Sequence, residues 1–145
     1  MRKINKIIIH CTATQQTASV ENIKNYWRNT LGWWYYGYHY IIDRNGYAYN
    51  LADDDVICNG AAGYNANSIH IAYIGGIDIN GKPIDNRTPE QKTALRILII
   101  EYSRKYPDAD ILGHGQLPYV KKACPCFDAK KEYCIYNRNY KINIK

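Results

Sequence analysis

Three residues of types that bind borderline-soft metal ions end segments with the look of regular structure. His10 closes the apolar run Ile7-Ile8-Ile9, His114 follows Asp110-Ile111-Leu112-Gly113, and Cys124 stands in the loop beyond. Two imidazoles and one thiolate, with a fourth position left for water, would make a catalytic zinc site that prepares water for hydrolysis. The spacing is unlike that of small structural zinc modules: His10 and His114 lie 104 positions apart, so only a fold can bring them together. By itself a histidine at a strand end is more often a hydrogen-bonded structural residue, and spacing alone does not choose. Nor does it separate two neighbouring thiols. In Lys122-Ala123-Cys124-Pro125-Cys126, read as extended chain, the side chains of Lys122, Cys124 and Cys126 fall on one side.

The elements that must position these residues are legible from pattern. Lys6 to His10 reads as a buried strand of β-branched residues. Ser19 can cap a helix to about Leu31, with an apolar stripe of Val20, Ile23, Tyr26, Trp27 and Leu31, stopped by Gly32. Tyr38 to Asp43 and Tyr47 to Leu51 read as a hairpin through Arg44-Asn45-Gly46, where Asn-Gly offers positive φ angles. Residues 53 to 66 read as loop, and Ser68 to Gly75 as a strand with Ile69, Ile71 and Tyr73 on one side. Thr88-Pro89-Glu90-Gln91 is a capping box opening a helix to about Lys105, after which Asp110 to Gly113 is a short strand delivering His114. Strands alternating with two helices predict a single α/β domain, a central mixed sheet flanked by helices.

Composition bounds the rest. With 145 residues, 46% apolar and 22% charged, the chain is one domain able to bury roughly 68–70% of its unfolded surface, so no metal or disulfide is needed simply to hold it folded. The apolar runs Ile7 to Ile9 and Ile97 to Ile100 are far shorter than the roughly 18 residues of a membrane span. Only three apolar residues follow the basic start before His10, too few for a secretory signal, which predicts cytoplasmic synthesis. Five cysteines, at 11, 58, 124, 126 and 134, are odd in number and predict thiols rather than a disulfide framework. Most of the net charge of +6 sits between Ala129 and Lys145, a basic end expected to be solvated, with no firm nucleic-acid signal in the body. Fifteen tyrosines against one phenylalanine read as compositional bias.

Five strings occur in order: Ile7-Ile8-Ile9-His10-Cys11-Thr12-Ala13-Thr14, Gly37-Tyr38-His39-Tyr40-Ile41-Ile42-Asp43-Arg44-Asn45-Gly46, Gly63-Tyr64-Asn65-Ala66-Asn67-Ser68-Ile69, Gly75-Gly76-Ile77-Asp78 and Lys122-Ala123-Cys124-Pro125-Cys126-Phe127-Asp128. Together they resemble the zinc-dependent N-acetylmuramoyl-L-alanine amidases of type 2, the family of phage lysozyme amidases and peptidoglycan recognition proteins, over residues 6 to 128. The resemblance implies an amidase domain over 1–128 with a basic tail over 129–145. It implies hydrolysis of the amide between N-acetylmuramic acid and the L-alanine of the peptidoglycan stem peptide. By motif position it implies His10, His114 and Cys124 as ligands of Zn2+, with Tyr38 and Lys122 as catalytic side chains. On a strand only one of Tyr38 and His39 faces the site, and the resemblance chooses Tyr38 over a structural His39. Cys126 falls where a serine is common, and His70 is expected to be structural.

Physical chemistry agrees with these implied roles: two neutral imidazoles and one thiolate leave the site about +1, electrophilic towards an amide carbonyl. Lys122 can supply a cation beside the charge that develops on oxygen, and the Tyr38 phenol a hydrogen bond or a proton. No motif-borne glutamate is near. One departure stands out: many relatives carry a histidine just before the Ala-x-Gly-Tyr-Asn segment, around the substrate groove, where this chain has Gly60. The expected protein is a monomeric phage or prophage endolysin, made in the cytoplasm and acting on the cell wall after release. The same resemblance covers a recognition domain that holds peptidoglycan without cutting it, and a cytoplasmic amidase acting on soluble muropeptides.

Overall fold

The β-branched run near the start of the chain forms β1 (Lys6–Cys11), and its interior position in the sheet explains why the run is apolar at every step. The computed structural model, which describes residues 2–137, places β1 between β4 (Ser68–Tyr73) and β5 (Asp110–Gly113), both parallel to it. β2 (Tyr40–Ile42) is parallel to β4, and β3 (Ala48–Asn50) closes the edge antiparallel to β2, giving the order β3-β2-β4-β1-β5. The expected mixed sheet in a single α/β domain is the architecture found.

Alternation sorts the two faces. Ile7, Ile9 and Cys11 of β1 and Ile69, Ile71 and Tyr73 of β4 form the main core with Leu95, Ile99 and Tyr102 of α2 (Pro89–Lys105). Ile8 points the other way, into a smaller cluster with Ala61, Leu112 and Leu117. His10 and His70 share that second face, so the face opposite α2 carries the chemistry. The start of α2 is fixed as the sequence predicts, Thr88 and Gln91 capping reciprocally, and the buried Gln91 amide also donates to the carbonyls of Ile42 and Ile74. That contact pins the helix to the ends of β2 and β4.

Three local expectations are corrected. The first helix is α1 (Val20–Asn25), capped by Ser19, and then widens into a π-helical stretch, Tyr26–Thr30, ending before Gly32 at φ +67°. Ile23 and Trp27 are buried and Tyr26 and Leu31 exposed, yet all four border one cleft, so the predicted stripe serves the site as well as the core. In the hairpin only Gly46 takes a positive φ, +85°, while the Asp43 carboxylate accepts the backbone N–H groups of Asn45 and Tyr47. The loop runs through Arg44-Asn45-Gly46 as expected, but Asn45 does not share the positive φ that the sequence suggested for the Asn-Gly pair.

The third correction concerns the end of the chain. Residues 129–137 are not a solvated tail: α3 (Ala129–Glu132) packs on β5, and Ala129 and Tyr133 are buried in the main core. Arg87 fastens this segment. Its nearly inaccessible guanidinium binds Glu132 through two hydrogen bonds of 2.7 and 2.9 Å, pairs with Asp85, and lies 3.4 Å from the Phe127 ring centre. The remaining basic residues Arg138, Lys141 and Lys145 lie outside the described residues.

Arg87→Ala is expected to destabilise the fold by about 2–3 kcal/mol, tempered by the partial exposure of Glu132, as measured by chemical denaturation. The Arg87 hydrogen bonds hold the Glu132 carboxyl below its ordinary value of 4.5. A depressed carboxylate contributes stability above its unfolded pKa and loses it as pH falls through the folded value. The denaturation midpoint of the wild type should therefore drop below about pH 4.5 more steeply than that of Glu132→Gln. Parallel curves for the two proteins would remove this pair from the stability account.

Candidate functional site

His10 is the next-to-last residue of β1, and His114 opens a 3-10 turn directly after β5, the neighbouring strand. Both therefore emerge at the carboxyl ends of parallel strands, where open α/β sheets place their ligands. Cys124 reaches the same place from the following loop. Its sulfur accepts the Cys11 backbone N–H at 3.2 Å, and its carbonyl accepts the Gly115 N–H at 2.8 Å. Gly115 is required by this approach, because a Cβ there would meet the Lys122 carbonyl oxygen at 2.0 Å. As a result one ligand atom from each of His10, His114 and Cys124 lies within 4.8 Å of the others, and His10 Nδ1 is 3.9 Å from Cys124 Sγ. That last distance is within the reach of two donors bound at about 2.0 and 2.3 Å to one zinc ion.

Cys126 does not join them. Residues 123–126 form a turn closed by the Cys126 N–H on the Ala123 carbonyl, with Cys126 at φ +71°, which ends the extended alternation assumed from sequence. The Cys126 sulfur consequently faces Gly76 O at 3.4 Å and Cys11 Sγ at 4.0 Å. Lys122, ahead of the turn, lines the same cleft as Cys124.

Tyr38 lines the cleft, whereas His39 is fully buried. Both residues precede β2, in irregular chain, and their rings lie on the same side of the sheet. The Tyr38 ring packs 4.9 Å from that of His10 and 5.5 Å from that of Trp27, with its hydroxyl at 3.5 Å from the Cys11 carbonyl. His39 is fully buried beneath: its Nδ1 accepts the His70 N–H, so its Nε2 donates to the Val56 carbonyl. His70, inside β4, meets His10 directly, with 2.8 Å between His10 Nε2 and His70 Nδ1.

The protonation states suit a cation. Burial, reinforced by His70, His114 and Lys122, pushes His10 well below the ordinary histidine range, and burial with Lys122 pushes His114 down to about 4. Both imidazoles are thus neutral at pH 7 with lone pairs to share. The Cys124 thiol is lowered by hydrogen bonds from the Cys11 side chain and backbone and by Lys122, against the opposing effect of burial. The Cys11 and Cys126 thiols are pushed the other way, Cys126 to about 11. Neutral imidazoles beside the most acidic of these thiols are a donor set that fits zinc. Burial chiefly raises the Tyr38 phenol, which keeps its proton.

A cleft of about 550 Å3 opens over the cluster, walled by Trp27, Trp33 and Tyr26, with Asn22 and Asn59 at its polar positions. None of these five is marked as a site residue by the sequence, which places Tyr26 and Trp27 only in the apolar stripe of the first helix. The signal available was the aromatic run Trp33-Trp34-Tyr35-Tyr36, which compositional bias concealed.

A mostly parallel α/β sheet whose strand ends bring a metal-capable donor set to an aromatic cleft is an arrangement suited to metal-assisted hydrolysis. The chain belongs to the N-acetylmuramoyl-L-alanine amidase family, whose sequence model matches residues 1–127. It is 37% identical over 132 residues to an endolysin of Klebsiella phage KP32, covering 90% of this chain and 85% of that one. It is 39% identical over 127 residues to the endolysin of Escherichia phage T7, covering 86% and 82%. Among solved structures, the N-acetylmuramoyl-L-alanine amidase LysC from Clostridium intestinale URNW superposes with a TM-score of 0.76 at 25% identity, over 97% of this chain and 88% of that one.

Proposed function

We propose that the protein is a zinc-dependent endolysin that hydrolyses the amide joining N-acetylmuramic acid to L-alanine in peptidoglycan. The observation that carries this reading is the convergence of His10, His114 and Cys124, the last two lining a cleft of about 550 Å3, in a chain of this family. Zinc held by those three residues would supply Lewis acidity to the amide carbonyl and acidify water beside it. Tyr38, protonated and next to His10, donates a hydrogen bond to the oxygen on which charge develops and can pass a proton to the departing amine. Lys122 sets a cation at the same end of the cleft, stabilising that charge. Trp27 and Trp33 provide flat apolar walls for the sugar and the alanine methyl, and shed water from the reacting bond. On this reading the protein acts on the cell wall, which the relatives named endolysins support.

The test is digestion of purified sacculi by the zinc-loaded protein, with and without a chelator. Soluble fragments bearing a new N-terminal L-alanine are expected, with activity lost on chelation and restored by zinc. Intact sacculi together with tight binding would identify a recognition domain instead. Cleavage of soluble muropeptides alone would identify a recycling amidase.

A further inference from the structure

His70 lies outside the proposed ligand and catalytic sets, yet it is fully buried and its Nδ1 is 2.8 Å from His10 Nε2. His10 turns its other nitrogen, Nδ1, towards Cys124. An imidazole that gives a lone pair to a metal through Nδ1 carries its proton on Nε2, so His10 then donates and His70 Nδ1 accepts. His70 itself is fixed by its backbone: its N–H donates to His39 Nδ1, and its carbonyl accepts the His39 N–H.

Two observations argue against packing alone as the reason for a histidine here. His70 Nε2 is buried without a hydrogen-bond partner among the described residues, an expense that an apolar side chain would avoid. Room for the ring also exists only because residue 60 is glycine, since a Cβ there would stand 2.5 Å from His70 Nδ1. The ring occupies the space that a side chain at position 60 would otherwise fill.

We propose that His70 is a positioning residue, an acceptor supplied by β4 that locks the ring and tautomer of His10 so that Nδ1 faces the metal position. This rests on the zinc reading above. It also gives Gly60 a physical reason, because that position is kept empty for the His70 ring.

The experiment compares zinc affinity, by competition with a chromophoric chelator, in the wild type, His70→Leu, His70→Asn and Gly60→Ala. Leucine fills the space without an acceptor, whereas the asparagine amide oxygen can stand near the place of Nδ1. His70→Leu is expected to bind zinc about 10- to 100-fold more weakly, the range found when such outer partners are lost. His70→Asn should recover most of that loss, and Gly60→Ala, which displaces the ring while keeping every histidine, should resemble His70→Leu.

A wild type that binds no zinc would overturn the metal reading and this inference with it. A zinc-binding wild type whose affinity His70→Leu leaves unchanged, or His70→Leu and His70→Asn equally weakened, would overturn the inference alone. Should His70→Leu not fold, histidine 15N NMR of the zinc-loaded wild type decides. A coupling from the His10 Nε2–H to His70 Nδ1 supports the assignment, and a protonated His70 Nδ1 rejects it.

Discussion

Replacing Cys124 by serine is expected to strip the protein of bound zinc and lower its rate on sacculi by roughly 10³-fold or more. A serine hydroxyl in this place would have to lose a far less acidic proton to become an anionic ligand, whereas the Cys124 thiol is already lowered by its contacts with Cys11 and by Lys122. Cys126→Ser is the informative control. The two residues are only two positions apart, but the intervening turn aims Cys126 at the Gly76 carbonyl and away from His10 and His114. It should keep its zinc and stay within about twofold of the wild-type rate, as an exposed or peripheral change does. Metal analysis by atomic emission, alongside dye release from stained sacculi, checks both proteins. Equal metal loss in the two, with both folded, would refute the assignment of Cys124 as the thiolate ligand.

The second large effect separates the ion from the groups that act beside it. Tyr38→Phe and Lys122→Ala should each reduce kcat by about 10²- to 10³-fold while zinc content stays at the wild-type level. Tyr38→Phe keeps the ring packed beside His10 and Trp27 and removes only the hydroxyl, so a change in fold or metal affinity is not expected. Lys122 is exposed on the cleft wall, and its removal leaves no buried partner behind. The effect should fall on kcat more than on KM, because both groups are assigned to charge and protons that move in the transition state. Soluble muramyl peptide substrates of defined length give the two constants separately. A rise in KM with kcat unchanged would reassign the residue to substrate binding.

How well the sequence foretold these arrangements depended on whether the deciding contacts were local. Thr88 and Gln91 cap each other three residues apart, and the isoleucines of β1 and β4 carry the signature of a sheet buried on both faces, so helix, strands and class were readable directly. His10 and His114 are legible as metal-capable residues at strand ends, though the strand pattern alone does not bring them together. The five ordered strings imply Cys124, Tyr38 and Lys122 beside them through the family resemblance.

Other arrangements have no local cause. The turn at 123–126 reverses the side on which Cys126 falls, and the irregular chain before β2 puts Tyr38 and His39 on one side where a strand would have divided them. The tyrosines read as compositional bias include Tyr102 and Tyr106, whose hydroxyls converge on Asp54 from 48 and 52 positions away. Burial of Ala129 and Tyr133 is secured by Arg87 meeting Glu132, 45 positions later. Meanwhile His70 reaches His10 only because Gly60 yields the space. The sequence by itself determined the elements, the face each strand buries and the chemical kinds of group available, since these follow from neighbours along the chain. Tertiary structure alone decided which thiol, ring and charge meet, because those pairings are set by close packing between segments that the sequence separates.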